Sequence, residues 1–206
     1  MTQSMKEIRS ICVYCGSQPG RSAVHREAAR ALGRAIASHG LRLVYGGGTR
    51  GVMGAVADGV MSAGGAVTGI IPEFLMEKEA TKNALGQLDE LIVTEDMHQR
   101  KHTMFERADA FVTLPGGIGT LEEIIEIMTW AQLGRHTKPM VLANIEGFWD
   151  PLIALLDHMA AEGFLHTAHL VQPLVIDRIE DIVPAIIAAG QRPNGKSGES
   201  EIIERM

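Results

Sequence analysis

The chain contains two glycine-rich turns, and each turn joins an apolar run to a helix-like segment. The first turn follows residues 41–45 and reads Gly46-Gly47-Gly48-Thr49-Arg50-Gly51. The second follows residues 110–114 and reads Pro115-Gly116-Gly117-Ile118-Gly119-Thr120. Glycine lets main-chain N–H groups approach an anion, and a following helix adds the positive end of its dipole. Two such turns in a short chain therefore predict strand–turn–helix units that hold a phosphate-bearing ligand.

Apolar runs and helical patterns alternate along the whole chain. The runs predicted as strands are at 10–14, 41–45, 67–71, 90–94, 110–114, 139–143 and 172–176. The predicted helices are at 22–39, 51–63, 97–107, 119–133, 149–161 and 179–189. Several runs are uninterrupted, which is typical of strands covered on both faces. The alternation predicts an α/β fold, a doubly wound parallel sheet with helices on both faces. Ligands bind such sheets at the carboxyl ends of the strands, where both glycine turns fall.

Length and composition limit the classes of protein that this chain can form. With 206 residues, of which 46% are hydrophobic, it can bury the core of one globular domain. We predict a single nucleotide-binding α/β domain over residues 1–190. The last residues, 191–206, are rich in Pro, Gly, Ser and charged residues, and we predict a flexible C-terminal tail there.

The net charge and the lack of long apolar runs restrict the partners. A net charge of −6 argues against nucleic acid, because phosphate backbones select basic surfaces. A small phosphorylated ligand needs only a local positive site. No apolar run approaches the roughly 18 residues of a membrane span, and Met1–Arg9 lacks a signal-peptide core. The sequence therefore predicts a cytoplasmic protein with no membrane partner.

Two spacings are reminiscent of metal or redox motifs. Cys12 and Cys15 form C-x-x-C, but they lie in a strand, where positions three apart point to opposite faces. We interpret both as structural cysteines. His98 and His102 are four apart, but the zincin pattern requires Glu after the first His, and residue 99 is Gln. The sequence therefore predicts no metal site.

The first turn leaves a dinucleotide site open as an alternative. It matches G-x-G-x-x-G, and Glu73 lies near the position of a ribose-binding acid. However, that fingerprint usually belongs to the first strand–turn–helix unit, and this turn belongs to the second. A tight turn that only allows close helix packing is the other interpretation, over which we favour anion binding.

The second turn is followed by a group of acids in an apolar setting. Glu122, Glu123 and Glu126 come directly after Thr120. The helix dipole favours acids in a first turn, which would explain Glu122 as a capping residue. The neighbouring positions are apolar almost all round the helix, so we expect the acids to be buried or to line a pocket. Partly buried carboxylates beside a phosphate site are candidates for acid–base or cation-stabilising chemistry.

A third candidate element begins where the fourth predicted strand ends, at Asp96-Met97-His98-Gln99-Arg100-Lys101. Arg100 lies near a helix start and has the planar donor group that binds phosphate or carboxylate through two hydrogen bonds, which Lys101 cannot do. A surface base at a helix start is the alternative interpretation of Arg100.

Several motifs, in this order, resemble one known family. Residues 115–123 read P-G-G-x-G-T-x-x-E, the signature of the LOG ("Lonely guy") family. The family comprises cytokinin riboside 5′-monophosphate phosphoribohydrolases, which are often mislabelled lysine decarboxylases. The resemblance covers roughly residues 10–170. It includes these further motifs: Cys15-Gly16-Ser17, Val44-Tyr45-Gly46-Gly47-Gly48, Gly69-Ile70-Ile71-Pro72, Met97-His98-Gln99-Arg100-Lys101 and Thr129-Trp130-Ala131-Gln132-Leu133-Gly134.

The resemblance implies a Rossmann-like three-layer α/β/α fold and hydrolysis of the N-glycosidic bond of a nucleoside 5′-monophosphate. The expected products are free base and ribose 5-phosphate, formed without a cofactor. It also implies Arg100 and Glu123 as the catalytic pair, in a homodimer whose sites lie near the subunit interface. The alternatives are a nucleotide or molybdenum-cofactor carrier without turnover, and a lysine decarboxylase that uses pyridoxal phosphate, for which the sequence shows no convincing Schiff-base lysine.

The residues fit this chemistry. Breaking the C1′–N bond builds oxocarbenium character on the ribose, which an anion stabilises. We expect Glu123 to be that anion and to activate water, while Arg100 orients the nucleotide. The predicted substrate- or phosphate-binding residues are Ser17, Gly46, Gly47, Gly48, Thr49, Glu79, Gly116, Gly117, Gly119 and Thr120.

Overall fold

The computed structural model describes residues 7–165 and 173–191, with strands and helices in alternation. The strands are β1 Ser10–Tyr14, β2 Arg42–Tyr45, β3 Val67–Pro72, β4 Glu90–Thr94, β5 Ala110–Thr113, β6 Met140–Ala143 and β7 Leu174–Ile176. The helices are α1 Ala23–Ser38, α2 Gly51–Ser62, α3 Glu73–Glu79, α4 Lys82–Leu85, α5 Met97–Arg107, α6 Ile118–Gln132, α7 Asp150–Ala161 and α8 Ile179–Gly190. A 3₁₀ turn, Ile145–Gly147, follows β6.

All seven strands pair in parallel, in the order β4-β3-β2-β1-β5-β6-β7. Strands β2, β3 and β4 therefore extend the sheet on one side of β1, and β5, β6 and β7 extend it on the other side. The carboxyl ends of β1 and β5 form the switch point, which is where doubly wound sheets bind ligands. The predicted parallel sheet is confirmed. The loops after β1 and β5 lie at the switch point and are the expected location of a ligand site.

Helices cover the two faces of the sheet in two separate cores. Ile11 and Val13 of β1 pack with α1, α2 and α8 on one face. Cys12 and Tyr14 of the same strand pack with α5 and α6 on the other face. This alternation follows from the two-residue period of a strand. It confirms the three-layer arrangement, and it places Cys12 and Cys15, both free and buried, on opposite sides of the sheet.

Two short helices between β3 and β4 are absent from the sequence-based assignment. Helix α3 buries none of its residues. Its apolar residues, 74–76, are consecutive, so the sequence shows no apolar stripe at helical spacing, which is the pattern that reveals a helix. Helix α4 spans only one turn. The proposed tail lies outside the described residues from position 192 onward. Among the described helices, none combines the length and the hydropathy needed to cross a bilayer.

Candidate active site

The second glycine turn leaves the start of helix α6 open. Gly117 is the N-cap of α6, and the first intrahelical hydrogen bond runs from the Leu121 N–H to the Gly117 carbonyl (3.0 Å). The N–H groups of residues 118–120 precede that bond, as expected at a helix N-terminus. A methyl group added at Gly117 or Gly119 would meet no protein atom within 4 Å. This end of α6 therefore has room for an anion against its main chain.

Gly116 allows the second turn to fold tightly on itself. A methyl group at position 116 would collide with the side chain of Thr120 and approach the Gly16 nitrogen to 2.8 Å. The Gly16 N–H in turn donates to the Pro115 carbonyl (3.2 Å). Because of these contacts the loops after β1 and β5 touch each other, and the buried Thr120 lies directly beneath the open turn.

The first glycine turn has a different arrangement, because protein atoms cover the start of helix α2. The Met53 N–H donates to the Gly16 carbonyl (3.0 Å), and the Ser17 carbonyl lies against Gly51. The Gly48 N–H points at the Met53 sulfur (3.3 Å). Residues 46–48 are buried. The β1 loop thus occupies the Met53 N–H in the first turn of α2, and Glu73, the acid expected to bind a dinucleotide ribose, is exposed.

The turn instead makes space for Arg100. Asp96 caps helix α5 by accepting a hydrogen bond from the Gln99 N–H (2.8 Å), and the helix begins at Met97, three residues before Arg100. The guanidinium Nη2 donates to the Gly46 carbonyl (3.3 Å), and a Cβ atom at position 46 would overlap this nitrogen. Arg100 is only 5% exposed, and its buried Nε has no hydrogen-bond partner among the described residues. A buried donor of this kind is available to a ligand.

Glu123 lies one helical turn beyond Thr120 and is 8% exposed. Burial raises the pKa of its carboxyl group to about 7, against the lowering effect of the Arg100 charge. The carboxylates of Glu122 and Glu79 raise this pKa further, and Lys101 lowers it. Within the described part of the chain Glu123 forms no ion pair. The site therefore contains a carboxyl group that is poised between its neutral and charged forms near neutral pH.

Lys101 joins the two helices that carry Arg100 and Glu123. Its ammonium group binds Glu122 (2.5 Å) and Glu126 (3.2 Å), which are four residues apart on α6. Burial lowers the pKa of Lys101, but the hydrogen bonds to these two carboxylates raise it more. A Schiff-base lysine must lose its proton readily. The pairing therefore assigns Lys101 a structural role and separates Glu123 from the other two acids of the group.

A cavity of about 530 Å³ lies at the switch point. It is lined by Ser17, Gly116 and Gly117 of the predicted site, and also by Arg21, Ser22 and His25 from the loop after β1 and the start of α1. Sequence reasoning missed these last three residues. Ser22 could have indicated from the sequence that a helix begins beside the site, because serine is a preferred N-cap residue. In the structure it is the N-cap of α1 and accepts a hydrogen bond from the Val24 N–H (3.3 Å).

Glu79 and Thr49 meet at the other side of the site. The Glu79 carbonyl accepts a hydrogen bond from the Thr49 N–H (2.9 Å), and the Thr49 hydroxyl accepts one from the Thr81 N–H (3.2 Å). The carboxylate atom Oε2 of Glu79 is buried without a partner among the described residues. Sequence reasoning expected the Thr49 hydroxyl to hold phosphate, whereas here it contacts the chain after α3.

No group of three or more His, Cys, Asp or Glu side chains that would hold a metal ion is found within residues 7–165 and 173–191. His98 and His102 are both exposed on α5. The predicted residues instead form two neighbouring groups. Gly116, Gly117 and Ser17 border the cavity, while Arg100 and Glu79 act electrostatically on Glu123.

The strand order and the open helix start at the switch point define a Rossmann-like α/β protein with a nucleotide-type site. A family model described as "Possible lysine decarboxylase" matches residues 53–186. The chain belongs to this family, the LOG family, as the sequence motifs predicted.

Two curated relatives extend over most of the chain. A protein of Rhodococcoides fascians named cytokinin riboside 5′-monophosphate phosphoribohydrolase is 45% identical over 179 residues, which is 86% of this chain and 89% of the relative. A rice protein (Oryza sativa subsp. japonica) named probable cytokinin riboside 5′-monophosphate phosphoribohydrolase LOGL9 is 44% identical over 183 residues, 85% of this chain and 79% of the relative.

The fold is also similar to that of a Moco carrier protein from Chlamydomonas reinhardtii. The TM-score is 0.66 at 22% sequence identity, over 88% of this chain and 97% of that one. At this identity the likeness concerns the fold alone.

Proposed function

We propose that this protein is a hydrolase that cleaves the N-glycosidic bond of a nucleoside 5′-monophosphate, with N6-substituted adenylates (cytokinin riboside 5′-monophosphates) as the substrate class. The relatives at 44–45% identity carry the name of that activity. The observation that carries the proposal is a buried, unpaired Glu123 whose pKa is about 7, close to a buried Arg100 and one turn below an open helix start.

The 5′-phosphate binds at the open start of α6. The N–H groups of residues 118–120 supply donors, and the helix dipole favours the negative charge. Ser17 and the glycine pair 116–117 border the adjoining cavity, which gives the phosphate oxygens room to approach the main chain. Binding energy obtained at the phosphate positions the sugar above Glu123 and is used in the reaction step.

Bond cleavage and hydration are assigned to Glu123. As the C1′–N bond breaks, its electron pair leaves with the base and positive charge develops on the ribose. The Glu123 carboxylate stabilises that charge and removes a proton from the water that adds to C1′. The departing base nitrogen takes up a proton from solvent and Glu123 returns to solvent the proton that it removed from water, so that the products are free base and ribose 5-phosphate. Hydrolysis of this kind needs no cofactor.

Arg100 and Glu79 hold the sugar end of the nucleotide. The unpartnered Nε of Arg100 donates a hydrogen bond to the ligand, and its charge keeps a fraction of Glu123 ionised. The unpartnered Oε2 of Glu79 accepts a hydrogen bond from a hydroxyl or amino group of the ligand. Both assignments use buried polar atoms that the protein itself leaves without partners.

We also infer a homodimer whose sites lie near the subunit interface. Ile118 is 82% exposed at the start of α6, directly beside the phosphate turn. Ile125 and Leu133 are also exposed and follow it along the same helix and its end. Large apolar side chains in a row are typical of subunit contacts. Two free cysteines and a nucleotide substrate are consistent with a cytoplasmic protein.

A product assay tests the function. Purified protein is incubated with N6-isopentenyladenosine 5′-monophosphate, adenylate, guanylate and cytidylate, and the release of free base is measured by chromatography. We expect base release from an adenine-type monophosphate and none from the matching riboside, because the riboside lacks the group that binds α6. Equal release from riboside and monophosphate would contradict the assignment of the phosphate site.

Two substitutions test the assigned residues. Arg100→Ala and Glu123→Ala should each abolish base release while circular dichroism shows a folded protein. Recovery of the nucleotide intact from the wild-type protein after long incubation would instead support a carrier without turnover.

A further inference from the structure

Helix α3, which presents Glu79 to the site, is short and contributes no buried residue to the core. The helix spans residues 73–79, and none of them is buried. Helices of this length are unstable without tertiary contacts. The next helix, α4, begins at residue 82 and has only four residues. The position of the Glu79 carboxylate therefore depends on contacts that the segment between these two helices makes elsewhere.

Thr49 supplies those contacts. Its N–H donates to the Glu79 carbonyl (2.9 Å), and its hydroxyl lies 3.5 Å from the same oxygen as a donor. The hydroxyl also accepts the Thr81 N–H (3.2 Å). One residue of the first glycine turn thus contacts both sides of the segment that joins α3 to α4. A threonine hydroxyl has a single hydrogen to donate, and here it points at the protein main chain.

The Glu79 carboxylate lacks a hydrogen-bond donor for one of its oxygens. Its Oε2 atom is buried and has no hydrogen-bond partner among the described residues. Leaving such an atom unpaired costs free energy, so buried polar atoms of this kind usually mark a place where a ligand or water donates. The carboxylate also lies close enough to Glu123 to act on its charge.

We propose that Thr49 is a positioning residue, which fixes Glu79 in the orientation that receives a hydrogen-bond donor of the nucleotide, and that its hydroxyl is not a phosphate ligand. This inference rests on the proposed function, because the donor belongs to the nucleotide. The sequence predicted that Thr49 contacts the phosphate. In this proposal Thr49 affects the reaction only because it holds Glu79 in place.

The first test compares two substitutions at position 49. Thr49→Val keeps the shape and removes the hydroxyl, so we expect kcat/KM for the monophosphate to fall by about tenfold, the effect of one lost hydrogen bond. Thr49→Ser keeps the hydroxyl and should restore most of the loss. Thr103→Val is the matched control, because it removes a hydroxyl that donates to the Gln99 carbonyl on α5. Failure of serine to rescue would overturn the inference.

A double-mutant cycle with Glu79→Gln separates the two roles of Thr49. If Thr49 acts through Glu79, adding Thr49→Val to Glu79→Gln should cost less than twofold more, because the function of the positioned group is already lost. A direct phosphate contact would be independent of Glu79. A full tenfold additional loss in the double variant would therefore refute the proposal.

Hydrogen exchange of the free protein distinguishes failure of this inference from failure of the proposed function. The Thr81 amide should exchange at least tenfold faster in Thr49→Val than in wild type, with no substrate present. A wild-type protein that releases no base, together with faster Thr81 exchange, would refute the function and leave the Thr49 contact supported. An unchanged Thr81 exchange rate would refute the contact itself.

Discussion

The buried carboxyl group of Glu123 should make the protein less stable as the pH rises, and Glu123→Gln should remove that effect. The pKa of Glu123 is about 7 in the folded protein, compared with 4.5 for the unfolded chain. A group whose folded pKa is raised contributes stability below the unfolded pKa, and the contribution is lost as pH rises through the folded value. The amide of glutamine resembles the neutral carboxyl group and never ionises. The two proteins should therefore have similar stability in acid and diverge toward alkaline pH.

The magnitude follows from the two pKa values. One pKa unit corresponds to 1.36 kcal/mol, so the difference between 4.5 and about 7 gives roughly 3 kcal/mol in all. Part of this is already lost at pH 5, which leaves about 2 to 3 kcal/mol between pH 5 and pH 8. A single domain has a total free energy of unfolding of about 5–15 kcal/mol. The effect is therefore a large fraction of the whole.

Urea unfolding of the ligand-free protein measures this difference. Free energies of unfolding are determined at several pH values for wild type, for Glu123→Gln and for Glu106→Gln, which changes an exposed acid on α5. We expect Glu123→Gln to gain about 2 to 3 kcal/mol over wild type as pH rises from 5 to 8, and Glu106→Gln to follow wild type within about 0.5 kcal/mol.

Parallel pH dependence of wild type and Glu123→Gln would contradict this prediction. That result would mean that the Glu123 carboxylate is as well solvated in the folded protein as in the unfolded chain. In the same samples Glu123→Gln should release no base from the monophosphate. A more stable but inactive variant would show that the protein gives up stability in order to keep a carboxylate beside the sugar.

Three further substitutions test the geometry of the site. Gly119→Ala adds a methyl group that meets no protein atom, so thermal stability should be unchanged. The KM for the monophosphate should rise at least tenfold, because the methyl group occupies the space of the phosphate. An unchanged KM would exclude phosphate binding at that main chain. Gly46→Ala should displace the Arg100 guanidinium, reduce kcat more than tenfold and cost about 1–3 kcal/mol in urea unfolding, whereas full activity would contradict the close approach. Lys101→Met removes the ion pairs with Glu122 and Glu126, so the free energy of unfolding should fall by about 1 kcal/mol at low salt and by less at high salt, where charges are screened. A loss that does not depend on salt would argue against these ion pairs.

The sequence predicted the sheet well because its central strands are uninterrupted apolar runs, such as Phe111-Val112-Thr113-Leu114, which are typical of strands covered on both faces. Helices α1, α5 and α6 were found because they carry apolar stripes or caps. Helix α3 was missed for the opposite reason, since none of its residues is buried. Local pattern therefore reveals an element only where the element contributes to the core.

The candidate site was predictable in its residue types and less so in its contacts. The family motifs identified Arg100 and Glu123, and the apolar neighbours of Glu123 predicted its burial correctly. The cover over helix α2 depends on Gly16, which lies far from Met53 in sequence, and no local pattern reports it. The expectation that the acids after Thr120 are buried or line a pocket is wrong for Glu122, whose side chain is 50% exposed. The pairing of Lys101 with Glu122 and Glu126 joins two helices, so sequence spacing alone could not show it.

The loop after β1 makes contact with both halves of the sheet at once. Gly16 donates to Pro115 on one side and accepts from Met53 on the other, and the Ser17 carbonyl lies against Gly51. A bulkier residue at position 51 would push this loop toward the turn that starts α6, although position 51 touches no reacting atom. Selection for altered nucleotide affinity should therefore recover changes at 51–53 as readily as at 116–120. Anyone transplanting the α6 turn into another scaffold would have to transfer the β1 loop with it.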